Sequence, residues 1–312
     1  MSQAVADRQE TEERQTVGGR FARLMDMGDG ALAFWLLLPT AVLLLAIIVY
    51  PVCRLIYTSF LSLSLTSGLP ASFAGLQNYR DMFADPVFWS SFWNTVIITV
   101  VTVPGALVVG MALALIANIP FRQRWAFRLA LLVPWALPLA FCGLIFAWFF
   151  QSDYGIVNDV LRRLGLPTVI WFNSYAWATV AICLTTIWKT SSFMALIILA
   201  GLQTIPRSLY EAAEIDGAGR VRQFFEITLP LLRPAIAVAL IFRTITALQT
   251  FDIPYTMTRG GPGTSTVTLA MYIRQNTVDF LDLGYGSALA VAMFALSMIV
   301  TVFYLRMIRR GA

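Results

Sequence analysis

The stretch Ser208-Leu209-Tyr210-Glu211-Ala212-Ala213-Glu214-Ile215-Asp216-Gly217-Ala218-Gly219, continuing Arg220-Val221-Arg222-Gln223-Phe224-Phe225-Glu226-Ile227-Thr228-Leu229-Pro230, lies between two long apolar runs. Ser208 and Glu211 have the S-x-x-E spacing of a capping box, which places a helix start at Ser208. Gly217 breaks that helix, because glycine takes the left-handed turn that ends one. A second short helix is predicted from Arg220 to Thr228, stopping before Pro230, since the residue ahead of a proline avoids the α region. The stretch reads as helix, turn, helix, with Leu209, Ala212, Ala213 and Phe224 free to pack. Glu211, Glu214 and Asp216 beside Arg207, Arg220 and Arg222 form a charged rim suited to a transient protein contact.

On both sides of this stretch the chain is apolar. Hydrophobic residues make up 58% of its 312 residues and charged residues 12%, against roughly 25% charged in soluble proteins. That much apolar surface needs lipid as its solvent. A spanning helix takes about 20 mostly apolar residues, and six segments qualify: 31–56, 92–117, 127–150, 176–200, 230–251 and 285–307. Backbone groups in lipid must pair within their own segment, so helices are expected throughout. No alternating strands of a barrel appear.

Charge orients the spans. Of 22 basic residues, Arg80, Arg162, Arg163, Arg259 and Arg274 fall in one set of connections and Arg54, Lys189 and Arg243 within spans. The other fourteen fall in the opposite set, which includes both ends of the chain. The positive-inside rule then predicts that both termini and the quoted loop are cytoplasmic. The first 30 residues, polar and mixed in charge, read as a disordered cytoplasmic tail rather than a cleaved leader.

The same composition excludes several chemistries. There is no histidine, which removes the commonest general base and metal ligand. Cys53, Cys142 and Cys183 sit singly in apolar stretches and read as small buried hydrophobes. The basic residues are scattered between apolar runs and form no face for nucleic acid. No P-loop glycine-lysine motif is present, so ATP hydrolysis is not expected on this chain.

Glu-Ala-Ala, three residues, Gly, nine residues, Ile-x-Leu-Pro resembles the signature loop of binding-protein-dependent ABC importer permeases, carried here by Glu211, Ala212, Ala213, Gly217, Ile227, Leu229 and Pro230, with Asp216 beside the glycine. Leu202-Gln203-x-Ile205-Pro206 ahead of it and Pro234 after it resemble the carbohydrate branch. So do Tyr50-Pro51 with Ser59-Phe60, Asn94-Thr95, Leu132-x-Pro134-x-x-x-Pro138, Gly155-Ile156-Val157-Asn158, Phe251-Asp252, Thr258-Arg259-Gly260-Gly261-Pro262 and Ser265-Thr266-x-Thr268. The resemblance runs from about residue 31 to the end. It implies an all-α membrane protein with the type I importer permease core. In the family the loop is a coupling helix seated in a cleft of the cytoplasmic ATPase. It further implies a tail over 1–30, a first span and outer loop over 31–89, a permease core over 90–306 containing the coupling loop 203–230, and a cytoplasmic end over 307–312. The implied partners are a second permease subunit, two ATPase subunits that use ATP and Mg, and an extracytoplasmic sugar-binding protein. No cofactor or metal is implied for this chain. Two readings of Glu211 stay open, a helix cap and a direct contact with the ATPase.

The resemblance is similar to the first permease subunit of maltose-, trehalose- and glycerol-phosphate-type importers, and points towards trehalose. Carrying over the maltose-permease pattern, the sugar path implies Trp135 and Leu139 in span three. It also implies Thr186, Trp188, Lys189, Thr190 and Phe193 in span four, and Leu248 and Gln249 in span five. Lys189, Leu139 and Leu248 depart from that pattern in chemistry. An ionisable residue inside a span is a functional candidate by default. For Lys189 the alternatives are lining the path, pairing with an acidic group or with backbone carbonyls where a helix breaks at Ser191-Ser192, and snorkelling. Arg243 reads as structural or gating. Rival functions are permeases for glycerol-phosphate, other oligosaccharides, phosphate, amino acids or polyamines. A membrane enzyme is a more distant rival, for which Asp252 lacks a second carboxylate, and so is a proton-coupled carrier.

Overall fold

The computed structural model describes residues 29–311, so most of the expected N-terminal tail lies outside the described residues. Regular structure among the described residues is helical apart from one short hairpin. They divide into two compact units, one ending at Tyr57 and one beginning at Thr58.

The first unit is α1 (Asp29–Leu44), a π turn over Leu45–Val49, and α2 (Tyr50–Thr58), which runs to the boundary. Together they give an apolar span over Leu32–Thr58. Phe34, Trp35, Leu36 and Ile47 are all exposed, a surface that requires an apolar phase to cover it.

The second unit opens with the hairpin β1 (Leu61–Ser62) and β2 (Ser72–Phe73), paired antiparallel with Leu61 opposite Phe73. After α3 (Gln77–Ala84) comes α4 (Pro86–Asn118), a 33-residue helix. Pro86 occupies its first turn, where no amide partner is needed, and Asp85 caps it by accepting from Val87 N–H at 2.8 Å. α4 packs along α8 (Tyr175–Gln203) through small residues. Ala106, Ala114, Ala181 and Ala195 are fully buried, and a Cβ added at Gly110 would lie 2.7 Å from Met194 Cβ. Without a hydrophobic force between helices in lipid, such close approach supplies the packing energy.

The third expected span, 127–150, forms two helices rather than one. α5 (Arg124–Ala136) and α6 (Leu139–Phe149) meet at 95° across Leu137-Pro138. Leu137 is held extended ahead of a proline, and Pro138 has no N–H to continue the ladder. α7 (Ile156–Arg163) follows as a short amphipathic helix.

The fourth span is unbroken. α8 runs straight through Ser191-Ser192, so the break considered there does not occur; both serine hydroxyls instead donate to carbonyls one turn back. After α9 (Arg207–Ile215), α10 (Arg220–Gln223), a π turn over Phe224–Thr228 and α11 (Leu229–Leu248) make one continuous 29-residue span. The stop predicted before Pro230 is therefore absent. The π turn widens the backbone just ahead of the proline ring and relieves its clash with the preceding turn; the turn at Leu45–Val49 stands in the same relation to Pro51. The span ends at Leu248, short of the expected Phe251. α12 (Asp252–Thr258) and α13 (Leu269–Arg274) then lead, through a π turn over Gln275–Asp279, into α14 (Leu283–Gly311). Among the described residues the spans thus number five helices plus the bent α5–α6 pair.

Candidate functional site

The α5–α6 break opens a cavity of about 610 Å³ against α8 and the end of α11. Trp135, Leu137, Pro138 and Leu139 form the wall at the break. α8 contributes Thr186, Lys189, Thr190 and Phe193, one face of a helix at turn spacing. The third wall is Phe242, Arg243, Thr246 and Gln249, closed by Thr250, Phe251 and Asp252.

Seven of the nine residues expected along a solute path therefore line one cavity: Trp135, Leu139, Thr186, Lys189, Thr190, Phe193 and Gln249. Trp188 and Leu248 do not. The Trp188 ring packs on Phe146 with centroids 5.0 Å apart, on the next face of α8. Leu248 is 3% exposed and belongs to the core. Phe242, Thr246, Thr250 and Arg243 join the lining, and of these Arg243 carries a signal in the sequence, an ionisable group inside a span.

Two cations meet this cavity. Lys189, 7% exposed, donates from Nζ to the Trp135 carbonyl at 2.7 Å. That carbonyl belongs to the last turn of α5, where no helical amide remains to pair with it. The lysine thus bonds a carbonyl at a helix break, but the break is in the facing helix and not at Ser191-Ser192. Arg243, 4% exposed, donates from Nη2 to Thr102 Oγ1 at 2.9 Å, and its buried Nε has no hydrogen-bond partner. Neither cation forms an ion pair among the described residues. Asp252 is the one acidic residue of the lining and opens the first turn of α12, where the helix dipole favours a carboxylate. Aromatic faces, hydroxyls, an amide and two cations on one concave wall suit a polyhydroxylated solute with an anionic group.

The loop after α8 forms a second candidate site. Its first helix starts two residues earlier than a capping box at Ser208 requires: Pro206 takes the N-cap position, no side chain caps α9, and Ser208 is already helical. Glu211 is consequently no cap, and it is exposed without an ion pair among the described residues. The far end closes as expected. Gly217 has φ 76°, its N–H reaches the Glu214 carbonyl at 3.0 Å, and Ala218 N–H reaches the Ala213 carbonyl at 2.8 Å, the paired bonds of a Schellman motif. Ile215, Val221 and Phe225 project into open space, with Ile215 87% exposed. Ala212 and Asp216 are exposed beside them, and Ala213 is half-buried. Ile227 and Tyr210 instead pack on the core formed by Leu202, Ile205 and Leu232. Tyr210 Oη lies 2.9 Å from Thr228 Oγ1, tying the two helices together. Leu229 and Pro230 are half-buried at the start of α11, so the motif's last three residues support the loop and its exposed rim is carried by the first part.

At the opposite end of α4 the remaining motifs find structural work. Asn94 Nδ2 donates to the Ser265 and Val267 carbonyls, and Leu269 N–H donates to Thr95 Oγ1. Thr258 and Thr266 hydroxyls lie 2.8 Å apart across the glycine-rich turn.

Residues 106–311 match the family described as binding-protein-dependent transport system inner membrane component. The chain is 73% identical over 290 residues, covering 93% of it and 94% of the relative, to the permease protein of a sulfoquinovosyl glycerol transport system of Agrobacterium fabrum. It is 38% identical over 278 residues, 89% of this chain and 94% of the relative, to the permease protein of a trehalose/maltose transport system of Thermococcus litoralis. Among solved structures, a chain of a bacterial alginate ABC transporter, crystallised with an alginate-bound periplasmic protein, superposes with a TM-score of 0.77 at 23% identity, covering 89% of this chain and 94% of that one.

Proposed function

The chain belongs to the family of binding-protein-dependent transport system inner membrane components, and on that premise we propose that it is a sugar-conducting permease subunit of an ATP-driven importer. It is a transport component and not an enzyme. The observation that carries the sugar reading is the lining of the cavity. Trp135, Phe193 and Phe242 offer flat faces for the C–H surface of a pyranose ring, and Thr186, Thr190, Thr246 and Gln249 offer donors and acceptors for its hydroxyls.

Within that class the solute is a sulfonated glycoside of the sulfoquinovosyl glycerol type. The relative named for that solute shares 73% of aligned residues. Trehalose, the expectation from sequence, is the second reading, supported by the 38% identical trehalose/maltose relative.

Transport proceeds by alternating access. A binding protein delivers the solute to the outer face, this subunit and a second permease enclose it, and two ATPase subunits close on nucleotide. The loop 203–230 is the docking element. Its exposed Ile215, Val221 and Phe225 supply apolar contact, while Glu211, Ala212, Ala213, Asp216 and Gly217 form the rim, Ile227 seats it on the core, and Leu229 and Pro230 lie half-buried where it joins α11. Both termini face the cytoplasm in this arrangement. The test is ATP-driven uptake by the complete complex in proteoliposomes. Uptake of sulfoquinovosyl glycerol in preference to trehalose is expected. Uptake of trehalose alone would overturn the solute assignment, and uptake of no sugar would overturn the function.

A further inference from the structure

We propose that Lys189 and Arg243 form an anion-binding pair inside the cavity, taking the single negative group, a sulfonate or carboxylate, of an otherwise neutral polyol. The inference deepens the sugar-permease reading and rests on it.

Three observations converge on an anion. First, the ionisable groups of the lining are Lys189, Arg243 and Asp252, two positive against one negative. Neither cation is neutralised, since no ion pair among the described residues involves them. A buried cation without a counter-ion is costly unless something restores its lost hydration. Second, each cation keeps donor capacity in hand. Lys189 has three N–H donors and one protein acceptor, the Trp135 carbonyl. Arg243 has five, one of which reaches Thr102 while its buried Nε–H reaches nothing. Third, the 95° break starts α6 at the cavity wall with Leu139, and no side chain caps this eleven-residue helix. The positive end of its dipole adds to the field of the two side chains.

A sulfonate has three acceptor oxygens and a carboxylate two, and either meets these donors in a way that a neutral hydroxyl does not. Thr186, Thr190 and Gln249 then remain for the sugar hydroxyls. The pair thereby sets selectivity on this chain for the charged end of the solute, beyond whatever selection the binding protein makes.

The experiment measures equilibrium binding of radiolabelled sulfoquinovosyl glycerol to the nanodisc-embedded complex of both permeases and the ATPase, without binding protein. Unlabelled sulfoquinovosyl glycerol, glucuronosyl glycerol and uncharged glucosyl glycerol serve as competitors. Wild type is expected to prefer the sulfonate over glucosyl glycerol by about tenfold or more, the worth of one or two charge-assisted hydrogen bonds. The glucuronosyl arm separates a general anion site, where it competes equally, from one shaped to a sulfonate. The preference should fall towards unity in Lys189→Gln with Arg243→Gln, and survive in Lys189→Arg, which keeps the charge. Equal binding of charged and neutral glycosides by wild type, no measurable binding of either, or a preference unchanged in the double variant would overturn the pair. A double variant that fails to assemble leaves the wild-type ratio and the Lys189→Arg result to decide. If ATP-driven uptake of the sulfonate persists while the preference is absent, the anion pair fails and the permease reading stands; if the complex takes up no sugar, the reading itself has failed.

Discussion

Asp85 carries more bonds than any other carboxylate among the described residues. It caps α4 through Val87 N–H and accepts the hydroxyls of Tyr272 and Tyr285. Burial alone would raise its pKa; the hydrogen bonds from Tyr272, Tyr285 and the Val87 and Phe88 amides outweigh burial and hold it below the ordinary 3.8. A carboxyl whose pKa falls on folding contributes stability that is complete above its unfolded value and lost as pH drops through the folded one. Thermal melts of the detergent-purified protein should therefore show a decline below about pH 4 that Asp85→Asn lacks. Asp85→Ala should cost about 2 kcal/mol at neutral pH, since it removes a cap and strands two tyrosine hydroxyls. The two tyrosine bonds were not legible in the sequence, because Tyr272 and Tyr285 lie 187 and 200 positions away. Lys189 was legible as a lone lysine in a span, but its partner was not: the Trp135 carbonyl, 54 positions off, is freed only where its helix breaks. Trp188 lies outside the cavity lining for a related reason. Adjacent helix positions differ by about 100° in direction, and contact with Phe146 decides which of them faces the cavity.

At the scale of elements, small residues and breakers decide the arrangement. A Cβ at Gly110 would meet Met194 Cβ at 2.7 Å and the Ser191 carbonyl at 2.9 Å, so Gly110→Ala must push α4 and α8 apart. The expected loss is about 1–3 kcal/mol, against less than about 0.5 kcal/mol for Gly219→Ala, where nothing lies within 4 Å; differential scanning calorimetry separates the two. Gly217 sits at φ 76° with open space around it, a backbone angle that proline, fixed near −65°, cannot reach. Gly217→Pro should abolish ATP-driven uptake in proteoliposomes while membrane insertion stays normal, and unchanged uptake would remove the docking role from the loop. Long apolar runs and this turn could be read in advance because each is a local property. The 95° bend at Leu137-Pro138 and the passage of a helix through Pro230 could not. Proline is present at both places, and only the surrounding packing determines whether the helix stops or widens into a π turn.

For the whole molecule, the orientation argued from basic residues is open to a direct check. With Cys53, the one exposed cysteine among the described residues, replaced by serine, a cysteine at Arg162 should react with a membrane-impermeant maleimide on intact cells. One at Arg220 should react only after permeabilisation, and the reverse pattern would invert the topology. The continuity of α10, the π turn and α11 has a mechanical consequence. Val221, in the proposed docking loop, and Arg243, in the cavity wall, sit on one 29-residue rod, so they are two ends of a lever roughly 33 Å apart. A lever has no preferred direction of use. Whatever factor nucleotide imposes on solute affinity by moving one end, solute must return to nucleotide affinity by moving the other. Occupancy at Arg243 would then be readable, without transport, as a shift in the ATPase's affinity for its own substrate.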